Sequence, residues 1–204
     1  MGLLIVLVSM SAGALLVANL AATKLWNFFG VAVDGGILIF PIEYILGDMM
    51  VEMYGEKSSK IATWAGVAFC GFSALVLMVV GRLPAYPGWT GQEAYAEILG
   101  FSAPRIILGS LVAYVVSQIA NIVVFVKIRE KTGDKWYFAR SIGSSVVAHA
   151  LDSGIFEVIA FLGVLPFNEF VHQAIFAYVA ALLLEIAIFP VAKLLVMQAH
   201  KFLD

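Results

Sequence analysis

Apolar runs about twenty residues long, parted by short polar clusters, recur along this chain. Crossing a bilayer takes about 20 residues as a helix. Six segments are long enough: residues 3–22, 36–54, 61–81, 105–126, 141–165 and 171–198. The third and fourth have charge-free cores, whereas the second, fifth and sixth carry ionisable residues inside the run. A β-barrel would show alternating segments of about ten residues, and that alternation is absent. The pattern predicts an all-α, polytopic membrane protein of six transmembrane helices, one domain over residues 1–204.

Composition agrees with the pattern. Hydrophobic residues make up 62% of the 204 positions and charged residues 13%, with a mean hydropathy of +0.99. A soluble domain has about 45–50% and about 25%. A water-soluble enzyme and a disordered chain are thereby excluded. The net charge of −2 gives no basic footprint for nucleic acid. Cys70 is the single cysteine, so no disulfide framework exists. The stretch 1–23 is free of charge but has no basic region before it, and an equally apolar chain follows. It reads as a retained span, not a signal peptide.

The basic residues sort by side. Lys57, Lys60, Lys127, Arg129, Lys131, Lys135, Arg140 and Lys201 fall on one side of six spans, and Lys24, Arg82 and Arg105 on the other. The positive-inside rule then places both termini in the cytoplasm. The loop 83–104 is the longest outside segment. Its Pro84, Tyr86, Pro87, Trp89 and Tyr95 suit an interfacial aromatic belt with a short surface helix, or a cap over an outward cavity.

A carboxylate near the centre of a spanning helix costs about 2.5–3.5 kcal/mol to insert. Six of the 14 acids nevertheless lie in these runs: Glu43, Asp48, Glu52, Asp152, Glu157 and Glu185. Such groups must pair, face water or do work. Asp48 and Glu52 are four apart and share a helix face, although Glu52 is near the cytoplasmic end and is also open to simple solvation. In the fifth run Ser145, His149, Asp152 and Phe156 fall on one face. The fourth run has a matching stripe of Ser110, Tyr114, Ser117, Asn121 and Phe125, with Gln118 at its edge. Asn19, Thr23 and Trp26 are assigned to the first. Any one of the neutral polar residues could serve only to join helices.

An intramembrane hydrolase is the competing reading, from His149, Asp152 and a serine. There is no GxSxG elbow and no HExxH, and His172 and His200 sit near membrane ends, so neither a nucleophile nor a metal set is indicated. A transporter fits better. Asn19 precedes Asp48 by 29 residues and Asn121 precedes Asp152 by 31, each pair enclosing a lysine. Two three-span halves would have opposite topology, and inverted repeats around a midplane site mark transporters. The chain also lacks GxxxxGK[ST]. It is therefore a secondary or facilitated carrier, or a substrate-binding subunit for a vitamin or other small molecule that relies on an external ATPase. The small-residue runs 13–14 and 71–74 are expected to allow a homodimer.

Four stretches carry a more specific likeness: ANLAATK (18–24), FPIEYILGDMMVEMYGEKSSK (40–60), SQIANIVVFVKIR (117–129) and WYFARSIGSSVVAHALDSGIF (136–156). In order and spacing the chain resembles the bacterial queuosine precursor transporters, also called the VUT family. The resemblance implies an inner-membrane protein that takes up 7-deazaguanines such as preQ0, preQ1 or queuine for tRNA modification, with no cofactor. The matching polar positions are Asn19, Lys24, Asp48, Glu52, Arg105, Ser117, Gln118, Arg140, Ser144, Ser145 and Asp152. Asn121 stands where many members have Asp, and His149 where an amide is expected.

The ligand that this implies can be set against the residues. A deazaguanine offers an amide N–H beside an exocyclic amine, which one carboxylate can accept together. In this picture Asp152, Asn121, Gln118 and His149 meet the base edge. Tyr114, Phe156 and Trp26 are the stacking rings, at about 1–3 kcal/mol per base. Glu43 or Asp48 would receive the alkylamine of preQ1. Asp48 and Arg140 are equally open to a role in a cytoplasmic ion pair, and Glu52, Arg105 and Lys24 are assigned to gating or ion pairs.

Overall fold

A computed structural model describes residues 2–28, 31–99, 104–133, 136–163 and 166–203. Helix α1 (Gly2–Ala21) is apolar throughout and buries Leu7, Ser11, Leu15 and Ala18. Those positions recur at helical spacing, so one stripe faces the protein. Ile5, Val6, Met10 and Val17 stay exposed, as side chains facing lipid tails would be.

A small antiparallel hairpin follows, β1 (Leu25–Phe28) on β2 (Val31–Asp34), with Leu25 opposite Asp34. The hairpin is a small addition to a chain that is otherwise helical, as an all-α membrane protein should be. It corrects one expectation: Thr23 and Trp26 do not extend the first helix, which ends at Ala21. Trp26 lies on the hairpin, its indole N–H donating to the Asp34 carbonyl at 3.3 Å. Phe28 meets Phe176 with ring centroids 5.9 Å apart. A 3-10 turn (Gly35–Leu38) then enters the next helix, capped by Asp34, whose carboxylate accepts from the Gly36 N–H at 2.8 Å. Burial raises the Asp34 carboxyl above its usual pKa, against the pull of those backbone amides. A Cβ on Gly35 would stand 2.6 Å from the Ala21 carbonyl oxygen, so only glycine lets the turn close on the end of α1.

The second and third expected segments are one helix by hydrogen bonding, α2 (Phe40–Gly81), 42 residues long. The polar cluster EKSSK does not form a loop. It stays helical, with Lys60 Nζ on Glu56 Oε1 at 2.5 Å, one turn apart. The break falls at Gly55 alone, at φ 80 and ψ 172, a region that is essentially restricted to glycine. There the helix doubles back. The Ser59 hydroxyl donates to the Gly47 carbonyl at 3.4 Å, whereas twelve residues of straight helix would hold them about 18 Å apart. Residues 43–51 are buried on every side, as expected for the limb at the bundle's centre. The returning limb buries only a stripe, Ser59, Ala62, Thr63, Gly66 and Cys70, and exposes Ile61, Trp64, Phe69 and Phe72.

Helix α3 (Gln92–Leu99) sits in the long outer loop and buries nothing. Gln92 ties it to the Gly81 carbonyl at 2.8 Å, while Tyr86 and Trp89 remain exposed. Helix α4 (Pro104–Thr132) outruns its apolar core by more than a turn, with Arg129 and Lys131 in its last turn, where cations suit the helix dipole. Gly133, at φ 62, ends it. Helices α5 (Tyr137–Phe161) and α6 (Phe167–Leu203) complete the bundle. Five of these helices are long and apolar enough to cross a membrane. The most extensive contacts join α4 to α5, with α1 on α2, α2 on α4 and α6 against α5 and α2.

Candidate functional site

The polar residues at membrane depth gather into linked clusters, each built on one acid. Glu43, on the central limb of α2, is 1% exposed. It accepts from Ser11 of α1, from the Tyr114 hydroxyl of α4 at 2.7 Å and from the Gln118 amide nitrogen of α4. Beside it the Tyr44 hydroxyl donates to Ser117 at 2.8 Å, and Ser117 Oγ stands 3.2 Å from Asp152 Oδ1 of α5. One turn further along α2, Asp48 accepts from Asn121 of α4 at 2.7 Å and from Ser141 of α5 at 2.5 Å. Glu185 of α6 accepts from Ser145 at 2.5 Å and faces His149 Nε2 at 2.7 Å. The His149 ring meets Tyr44 edge-on, centroids 4.3 Å apart.

The chemistry of this arrangement lies in which atoms are already committed. Hydrogen bonds to a charged group contribute about 1.5–3 kcal/mol each, so the donors around Glu43, Asp48 and Glu185 offset much of the cost of burying them. Those three acids are fully buried, whereas Asp152 keeps part of its surface accessible. Gln118 and Asn121 each commit an amide N–H, to Glu43 and Asp48 respectively. Their carbonyl oxygens, Gln118 Oε1 and Asn121 Oδ1, are buried with no hydrogen-bond partner among the described residues. Each such orphan costs about 1–3 kcal/mol. The site therefore has acceptors to spare.

Residue by residue, Asp152, Ser117, Gln118, Asn121, Tyr114, Glu43 and Asp48 are brought together on facing sides of α2, α4 and α5. Ser145 and His149, from the same α5 stripe as Asp152, turn to Glu185. Phe156 lies against α4 at Gly109. Asn19 accepts from Ser110 at 2.6 Å, joining α1 to α4. Trp26 sits on the hairpin, its ring edge-on to Phe28 at 5.3 Å.

The assigned pairing residues separate. Arg140, with 0% of its side chain exposed, holds Glu52 at 2.6 Å and donates to the Gly133 carbonyl at 2.6 Å. Its guanidinium lies over the Phe125 and Tyr137 rings. Arg129 also reaches Glu52, at 3.6 Å. Ser144 is buried and donates to the Ser141 carbonyl at 2.9 Å. Lys24 is exposed, and its carbonyl accepts the Gly35 N–H at 3.0 Å. The side chain of Arg105 lies outside the described residues.

Comparison with known proteins places this geometry. Residues 34–195 match the family described as "Putative vitamin uptake transporter". The chain belongs to that family. It is also 30% identical over 178 residues to the "Probable queuosine precursor transporter" of Bacillus subtilis (strain 168), across 86% of this chain and 76% of that one. No solved structure matches. All of the clusters described above around Glu43, Asp48, Asp152, Glu185 and Glu52, Ser11 apart, fall within the stretch matched to the uptake-transporter family.

Sequence reasoning gave no role to four residues of the buried polar clusters: Ser11, Tyr44, Ser141 and Glu185. Glu185 was visible as a lone acid in the run ALLLEIAIF. Its partners depend on how α6 is rotated against α5, and apolar residues surround it on every side in sequence. Tyr44 adjoins Glu43 and reaches Ser117 of α4 and His149 of α5.

Gly47 supplies a test of packing here. A Cβ at that position would stand 3.2 Å from Gln118 Oε1. Gly47→Ala should displace the Gln118 amide and cost about 1–3 kcal/mol, the usual range for overpacking. Thermal unfolding of the detergent-solubilised variant measures it, and an unchanged midpoint would show that Gln118 is not held there.

Proposed function

We propose that this protein is an alternating-access carrier for queuosine precursors, 7-deazaguanine bases such as preQ0, preQ1 or queuine. The observation that carries the reading is the surplus of acceptors: the carboxylate of half-buried Asp152, with the amide oxygens of Gln118 and Asn121 in the same bundle. A deazaguanine brings the missing groups, an amide N–H, an exocyclic amine and a ring N–H. Asp152 accepts the adjacent N–H pair, and Gln118 and Asn121 accept others. The name of the Bacillus subtilis relative supports the same substrate class.

The topology proposed with it has six crossings, because α2 doubles back at Gly55. Residues 1–81 then form one three-span half and α4 to α6 the other. The two halves rock about a site near the midplane, as inverted-repeat carriers do. The Gly55 turn carries Lys57 and Lys60, and the α4–α5 junction carries Lys131 and Arg140. The positive-inside rule puts both at the cytoplasmic face of the bacterial inner membrane, along with both termini.

A thermal-shift panel on the purified protein tests the reading. Ligand bound at a hundred times its Kd adds about 2.7 kcal/mol to the folded state. PreQ0, preQ1 or queuine should raise the melting temperature, and guanine and vitamins less so. A shift with a vitamin and none with any deazaguanine would replace this substrate class. Uptake by the chain alone in liposomes would exclude dependence on an external ATPase.

A further inference from the structure

Glu185 and His149 form a second buried acid–base unit: the sequence set His149 at the base edge, but its ring nitrogen is on Glu185, and the base contacts proposed above do not use the pair. His149 Nε2 faces Glu185 Oε2 at 2.7 Å, and the side chains are 2% and 0% exposed. Ser145 fills the other carboxylate oxygen at 2.5 Å. Joining α5 to α6 needs no titratable pair, because apolar packing does that at no desolvation cost. An imidazole against a carboxylate has a property that apolar packing lacks: it exists with or without one extra proton, at a net charge of zero or minus one.

Resting on the carrier reading, we propose that the His149–Glu185 pair is the coupling-ion site of this protein and that the ion is a proton. The donor set argues against a metal cation. Hard cations such as Ca2+ and Mg2+ take cages of oxygen ligands, whereas one partner here is a ring nitrogen. No group of three His, Cys, Asp or Glu that could hold a metal is present among the described residues.

The surroundings supply a path. Asp152 lies three residues along α5, close enough for its charge and that of His149 to interact, and it retains accessible surface. Asp34 of β2 faces Asp152 from the outer side. From α2, Tyr44 stacks edge-on against His149, with Glu43 beside it, and Asp48 faces Glu185. Tyr114 of α4 adjoins Glu43, and Tyr137 of α5 lies within range of Asp48, Glu52 and Glu185. These neighbours are mostly acids, so a proton on the pair relieves repulsion within the buried bundle. One proton enters from outside at Asp152 and passes to the pair, which becomes neutral. After the bundle opens inward it leaves past Asp48 to the cytoplasm. No bond of the base is made or broken.

The test uses purified full-length protein in liposomes with preQ0, an uncharged probe. With the interior one pH unit above the exterior and the membrane potential held at zero by equal K+ and valinomycin, the wild type should accumulate preQ0 about tenfold, the ratio that one coupled proton sustains. A pyranine dye trapped inside should report acidification in step with preQ0 entry. Glu185→Gln keeps the shape of the site. It should still exchange labelled for unlabelled preQ0 across the membrane, yet fail to accumulate it under the gradient. Wild-type exchange with neither accumulation nor acidification would overturn the coupling and leave the carrier reading standing. Accumulation by Glu185→Gln at the wild-type level would remove this pair from the coupling. Absence of any preQ0 exchange by the wild type would overturn preQ0 carriage and the coupling with it.

Discussion

Asp152→Asn should abolish uptake of deazaguanine bases while the protein still inserts into the membrane and melts at its usual temperature. The amide is nearly isosteric with the carboxylate, and Ser117, 3.2 Å away, can still donate to its oxygen. The acceptor capacity is what changes. A carboxylate accepts two N–H groups of the base edge at once, and an amide presents one oxygen and one NH2. Two charge-assisted bonds contribute about 3–6 kcal/mol together, or roughly a hundredfold to ten-thousandfold in affinity. The fold should tolerate the change because Asp152, unlike Glu43, Asp48 and Glu185, keeps some accessible surface. Equilibrium binding by the solubilised variant and uptake by cells expressing it give the two readings. Full uptake would remove Asp152 from the binding edge.

The physical basis of that expectation also marks how far a sequence can be read. Hydropathy located the membrane-crossing stretches because the cost of exposing apolar surface is spread over twenty residues and survives small errors. It misjudged the link at residues 55–60. Charges there read as a loop, although Glu56 and Lys60 are an i, i+4 pair that favours helix, and one glycine suffices to turn the chain. Trp26 was misplaced for a related reason. Beyond Ala21 the pattern stays apolar, but Gly35 and Gly36 pull the chain back against α1 and a hairpin forms.

The site divides in the same way. The spacing of Ser145, His149 and Asp152 placed them on one face of α5, and they are on one face. Their partners were not legible. A helix face about 100° wide meets two neighbours, so Asp152 turns to α4 while His149 and Ser145 turn to α6. Likewise Gln118 and Asn121 were placed at the base edge without a hydrogen-bonding sense. Each commits an amide N–H to Glu43 or Asp48, while its carbonyl oxygen keeps no partner among the described residues, so the wall they form offers acceptors.

Arg140→Met should destabilise the protein by about 3–5 kcal/mol, the range for removing one partner of a buried ion pair. The guanidinium has 0% of its side chain exposed, and Glu52 opposite has 7%. Methionine fills much of the volume between the Phe125 and Tyr137 rings but leaves Glu52, among the described residues, with Arg129 at 3.6 Å. The Gly133 carbonyl, at the junction between α4 and α5, also loses its short bond from Arg140 and keeps the Thr132 hydroxyl at 3.5 Å. Adding Glu52→Gln to Arg140→Met removes the uncompensated charge and should recover a large part of the loss. Thermal or denaturant unfolding of the wild type, both single variants and the double variant closes the cycle. A coupling near zero would mean that the pair is solvated and structurally idle. A large coupling has a functional consequence, because the pair ties the end of the central α2 limb to the start of α5, the two elements that carry Asp48 and Asp152. In the proposed alternating-access cycle, opening the end assigned to the cytoplasm then requires separating Glu52 from Arg140. The double variant, stable yet without the pair, should release bound base to the cytoplasmic side faster than the wild type.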